Sequence, residues 1–369
     1  QRVWVALLSL TVGLSPTGHA AYLENGTDSV KGSDRSVAPL IRPIPEAETI
    51  WARLIQSVEV GKPVVHRDFQ VFPLILRRDS THQDIRTLDE ALAHDWITLR
   101  EHDAARVSGI RVRNDSKYAV FLMAGEMLSG GQQNRILQAD VLLGPLAEFI
   151  DVPVYCIEKE RWAGERTAFT SSKRLAEPSL RMKTGRVDAQ ESIWDEIDTQ
   201  LKKARIQTPT RAYEQIYKDR KVDKELRTLA QAFKGVPQRQ VVGAVMVSGH
   251  QIRGCELFAD PDLFARLWPK IIRSYTLNDA ICRDAKKTGI VDAKVHEEAE
   301  RYIPPIEISR IQQFLDYASR ADLRAGDTPG QGRLYRVSGT AVSGSALIWR
   351  DEVIHAVLFK DEVQKWITD

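Results

Sequence analysis

Two short stretches combine residue types that could do chemistry together. The first is "GEMLSGGQQNRIL", residues 125–137. A glycine pair, Gly130 and Gly131, lets backbone N–H groups approach a ligand closely, and Gln133 and Asn134 add directional donors and acceptors. Arg135 brings a planar fork suited to carboxylate or phosphate. The second is "PVYCIEKERWAG", residues 153–164. Strand alternation there puts Val154, Cys156 and Glu158 on one face. Glu158, Arg161 and Trp162 then supply an acid, a cation and an aromatic plate. Glu126 and Glu158 are the candidate general acid and base, with Arg135 and Arg161 expected to hold one shared anionic group. A rival reading of the first stretch stays open, in which Glu126 and Arg135 pair with each other and merely brace the loop. Cys156 reads as a structural thiol, because no motif sets a histidine base beside it.

Other chemistries are excluded by what the chain lacks. There is no GxGxxG after a strand, no GxxxxGK[ST], no HExxH and no GxSxG. His66, His82, His94 and His102 do not share a helix face, so they read as solvated or hydrogen-bonded residues and no metal site is expected. The sequence names neither a cofactor nor an oligomeric state. A formal net charge of +2 argues against nucleic acid as a partner. The locally basic segment 201–235 reads as a solvated helix face. Three cysteines are too few for a disulfide scaffold. A Cys255–Cys282 bridge stays open for an oxidising compartment.

The elements that must position these residues are mainly strands from Val64 to Glu158, with β-branched and aromatic runs separated by Gly, Pro and Asn-Asp-Ser turns. "TLDEALAHD" offers a capping box, Thr87 with Glu90. After residue 185 the period changes. Ile193, Ile197 and Leu201 recur at helical spacing, and a helix is expected over Thr210 to Phe233. "QVVGAVMVSGHQIRGCELF" reads as a hairpin about Ser248-Gly249-His250. Asp260 and Pro261 open a helix that Pro269 should kink or split. "EISRIQQFLDYASRA" is a further helix, and the chain ends in strands. The expected fold is α+β: a mostly antiparallel β N-terminal half, sandwich or partial barrel, then a helix-rich second half that closes with strands.

The amino-terminal run "VWVALLSLTVGL" followed by "SPTGHA" has the pattern of a signal peptide, with Gly18 and Ala20 flanking a cleavage site. Residues 1–20 are therefore expected to be removed, and 21–45, rich in Gly, Ser and Pro, to form a flexible linker. A β-rich half over 46–185 and an α+β half over 186–369 follow, read as one continuous domain. No later segment is apolar enough to span a bilayer, so an exported mature chain, periplasmic or extracellular, is expected.

The ordered series "VFPL … TLDEAL … GEMLSGGQQNRIL … VPVYCIEKERW … SGHQIRGCELFADPDLF" resembles the ADP-ribosylglycohydrolase and rhodanese-phosphatase associated protein domain family (ARPP) from roughly Val60 to Leu347. The family's polar blocks fall here on Glu126, Gly131, Gln133, Asn134, Arg135, Cys156, Glu158, Arg161 and Trp162, with one residue fewer between Glu158 and Arg161 than the family pattern has. The resemblance implies a link to NAD or ADP-ribose metabolism and no established reaction. Together these readings describe an exported domain that binds a small polar, anionic ligand. The alternative is a non-catalytic envelope module, structural or protein-interacting.

Overall fold

The computed structural model describes residues 46–80, 84–102, 108–161, 168–287 and 304–360. The expected signal peptide, the linker and Trp162 lie outside the described residues. By internal contacts the chain divides after Pro43, and every element below belongs to the unit Ile44–Asp369.

The α+β expectation holds: sheets are almost wholly antiparallel, with helices packed on them. A six-stranded sheet runs in the order Phe169–Leu175, Glu126–Gly130, Arg135–Leu137, Ile150–Cys156, Gly109–Asn114, Ile97–Arg100. An isolated bridge between Arg100 and Ala168 brings its two ends together, so the sheet curls into a partial barrel. Period-two alternation builds its interior, where Ile97, Leu99, Ile110 and Val112 point inward with Val152 and Val154. A three-stranded sheet, Val141–Leu143, Ala119–Leu122 and Ile85–Thr87, adjoins it and contains one parallel pair.

The largest sheet has nine strands and draws on both sides of residue 185. Val58–Val60 and Phe69–Leu76 lead into Val241–Ser248, then Gln251–Phe258, Glu352–Lys360, Val342–Trp349, Arg333–Gly339 and Asp322–Ala325, and Val64–His66 pairs with Phe69–Leu76 as the ninth strand. One face packs on the helices Ala47–Gln56 and Ile308–Ser319 through Trp51, Leu54, Ile311 and Phe314. The other face packs on the helix Pro261–Tyr275 through Phe264, Leu267, Trp268 and Ile271.

Local signals hold where they are strong. Thr87 and Glu90 form the reciprocal capping box, and Asp260 caps the helix that Pro261 begins. That helix is continuous across Pro269, contrary to a split, because its long apolar face is anchored in the core on both sides of the proline. The helix expected over Thr210 to Phe233 is divided at Asp219. This residue is extended (φ −62°, ψ 128°) and caps Arg220–Ala232 by accepting from Lys221 and Val222 N–H. Glu214–Lys218 is left as a separate short helix. The helix Ala47–Gln56 had no counterpart in the sequence reading. No disulfide occurs among the described residues: Cys255 is buried and Cys282 is exposed. No described helix is long and apolar enough to cross a membrane.

Candidate functional site

The glycine-pair loop is built as a closed polar cluster. Gly130 ends one barrel strand and Arg135 begins the next. Gly130 (φ +127°) and Gly131 (φ +55°) occupy backbone that side chains rarely adopt. A Cβ on Gly131 would lie 2.4 Å from the Phe169 ring and 2.5 Å from a Glu101 carboxylate oxygen. Glu101 accepts from Gln132 N–H at 3.1 Å and from Arg135 Nη2 at 3.2 Å. Arg135 also donates to Gln133 Oε1 and Cys156 Sγ and is almost wholly buried, with its Nε–H left without an acceptor.

Arg161 holds the other side of the same loop. Its Nε donates to Glu158 at 2.6 Å, and its Nη2 to Gly130 O at 3.2 Å and Asn134 Oδ1 at 3.0 Å. Gln133 donates to the Glu158 carbonyl, and Asn134 to Glu214, which Arg174 also holds. The two guanidiniums thus pair with different protein carboxylates, Arg135 with Glu101 and Arg161 with Glu158.

Glu126 stands apart from this cluster. It is buried, accepts from Met123 N–H, and pairs with Lys270, which also reaches Asp89 at 2.8 Å. Burial pushes its carboxyl up against the opposing pull of Lys270. Its partner is Lys270 and not Arg135, so the simple brace between Glu126 and Arg135 does not form. Burial also drives the Cys156 thiol up to about 11 despite the adjacent Arg135, which suits a structural thiol. Among the expected polar histidines, His94 stacks on Trp96 and His102 lies 3.5 Å from Asp151. His82 lies outside the described residues.

A second polar assembly escaped the sequence reading. His355 bridges two carboxylates, with Nδ1 at 2.7 Å from Asp140 and Nε2 at 2.7 Å from Glu256. Glu256 also accepts from Arg181 Nη1 at 2.5 Å and Tyr275 O–H at 2.8 Å. All five side chains are buried. Burial opposes the imidazolium, but the flanking Asp140 and Glu256 outweigh it and raise His355 to about 9. Two cations thereby balance two anions in a place where an uncompensated charge would be costly. The available signal was a lone charge inside an apolar strand: His355 in "EVIHAVLFK" and Glu256 in "GCELF".

Arg181 carries this assembly to an open groove. The helix Pro178–Gly185 lies against the nine-stranded sheet, and the groove between them has a volume of ≈ 250 Å³. Strand register explains the lining. Arg336, Ser345, Val357 and Glu256 are successive cross-strand partners and share one face, as do Ser338, Ser343 and Phe359 in the next row. Arg181 therefore stands at the inner end, over Glu256, with Arg336 at the outer end. Arg181, Arg186, Arg336, Ser338, Ser343 and Ser345 line the groove with Gln138, and no described carboxylate does. Arg181 Nε is buried without an acceptor. Arg336 also sits directly opposite Arg324, a like-charge pairing that costs stability unless something anionic offsets it.

A family model described as the ARG and Rhodanese-Phosphatase-superfamily-associated Protein domain matches residues 57–359. No curated protein and no solved structure matches the chain.

Proposed function

The chain belongs to the ARG and Rhodanese-Phosphatase-superfamily-associated Protein domain family, the one to which the ordered motifs pointed; on that premise we propose that it binds a small anionic ligand in the groove between the Pro178–Gly185 helix and the nine-stranded sheet. The observation that carries this reading is the lining: exposed Arg336 with Arg186, three serines and an amide, beside an Arg181 whose Nη groups are already on Glu256, and no described carboxylate in the wall. Guanidinium groups in a partly desolvated cleft make charge-assisted, geometrically selective contacts to phosphate or carboxylate. Serine hydroxyls can donate to the remaining oxygens.

The glycine-pair loop takes the structural role in this reading. Its arginines already face protein carboxylates, and Glu126 and Glu158 position backbone and cations instead of reacting groups. A tie to ADP-ribose or NAD metabolism, which the family resemblance suggests, fits a phosphate-bearing ligand. Export is proposed from the amino-terminal apolar run alone.

The test is calorimetric titration and thermal shift of the full chain with inorganic phosphate, ADP-ribose and a dicarboxylate. A ligand that binds the folded state raises Tm in a saturable way. Arg336→Ala, at an exposed position, should weaken binding at least about tenfold without lowering the unliganded Tm. Absence of any saturable anion response in the wild type would defeat the proposal.

A further inference from the structure

The groove continues outward into a larger chamber of ≈ 680 Å³, and the two share Gln138, Gly185, Arg336, Gly344 and Ser345 in their walls. Their electrostatics differ. The inner chamber is lined by cations, whereas the outer one adds the carboxylates of Asp151 and Asp327 beside Thr328. Asp151 reaches the barrel side of the chamber from the strand Ile150–Cys156 and keeps most of its side chain exposed.

Asp327 comes from the opposite side, on the connection between strands Asp322–Ala325 and Arg333–Gly339. That connection is fixed at both ends. Gly326 N–H donates to the Leu334 carbonyl at 2.9 Å, and Leu334 N–H donates to Thr328 Oγ1 at 2.7 Å. At its far end Gln331 N–H donates to Leu142 O at 2.7 Å. Gly330 (φ +88°) approaches the same carbonyl so closely that a Cβ would lie 2.5 Å away. The loop is thus tied to the three-stranded sheet, and among the described residues no hydrogen bond or ion pair is made by the Asp327 side chain.

Resting on the anion-binding reading above, we infer that the ligand is a phosphorylated polyol, with phosphate in the inner chamber and vicinal hydroxyls toward Asp151 and Asp327. An ionised carboxylate is acceptor-only, so it matches a group that donates. Hydroxyls donate without adding charge beside Arg336, which stands on the boundary between the chambers. A purely anionic ligand would instead be repelled along the outer half of its path. An ammonium would satisfy the carboxylates but would lie close to the Arg336 cation.

Calorimetric titration of the full chain with inorganic phosphate, ribose 5-phosphate, ribose and 2-aminoethyl phosphate separates these cases. Ribose 5-phosphate should bind at least about tenfold tighter than phosphate, since two hydrogen bonds to charged acceptors are added. The double variant Asp151→Ala, Asp327→Ala should remove that advantage without weakening phosphate binding or lowering Tm. Equal affinity for phosphate and ribose 5-phosphate would overturn the polyol inference but keep the anion site. So would tighter binding of 2-aminoethyl phosphate, or a double variant with the advantage intact. Failure of both phosphate and ribose 5-phosphate to bind would remove the anion site and this inference together.

Discussion

The glycine-pair loop and the groove at Arg181 contain much the same ingredients, arginine beside amide, hydroxyl and glycine, yet they differ in what faces the cations. In the loop, Arg135 meets Glu101 and Arg161 meets Glu158. In the groove, Arg181 spends its two Nη groups on Glu256, while Arg336 is exposed beside serines with no carboxylate in the wall. Composition alone cannot tell a brace from a binding site. The location of the counter-charge does, and for Arg135 and Arg181 it comes from residues 34 and 75 positions away in sequence.

The comparison breaks most readily at Arg135. Arg135→Met should destabilise the fold by about 3–5 kcal/mol, because it leaves Glu101 buried without its cation. Chemical denaturation reads this, and a loss below about 1 kcal/mol would mean the loop is not a brace.

His355 gives the next effect, and it is pH-dependent. Its folded-state value, about 9, lies above the ordinary 6.5. Its stabilisation is therefore complete below about pH 6.5 and is lost as pH rises through about 9, up to roughly 3 kcal/mol in total. Unfolding free energies measured across that window should fall for the wild type, and the same fall should be missing from His355→Gln. A wild type and variant that fall in parallel would remove His355 as the cause.

Gly131→Ala should cost about 1–3 kcal/mol, from positive φ and the close approach of Phe169 and Glu101. Its effect on anion affinity should be negligible, which sharpens the separation of the two regions. Cys156→Ala should cost about 1 kcal/mol and spare binding. A folded Cys156→Ala protein that has lost its ligand would reinstate the loop as a site.

Much of the fold was legible because its signals are local. The Thr87–Glu90 box, the Ser248 hairpin and the alternation of Ile97 and Leu99 each lie within a few residues. The polar motifs were equally visible, but their meaning was not. Lys270, the partner of Glu126, lies 144 residues away in sequence, and Asp140 lies 215 from His355. The groove depends on register: Arg336, Ser345, Val357 and Glu256 fall in one row only after four strands have paired. No periodicity within one strand carries that information. His355 and Glu256 did carry a local hint, as charges inside apolar strands, but an isolated buried charge does not name its partner.

The most direct test places one substitution in each region and measures phosphate affinity by calorimetry alongside Tm. Arg336→Ala should weaken binding at least about tenfold without lowering Tm. Arg161→Ala should lower Tm, by leaving Glu158 without its cation, and keep the wild-type affinity. The reverse pattern, with affinity lost in Arg161→Ala and kept in Arg336→Ala, would contradict the assignment of brace and site and return the ligand to the glycine-pair loop.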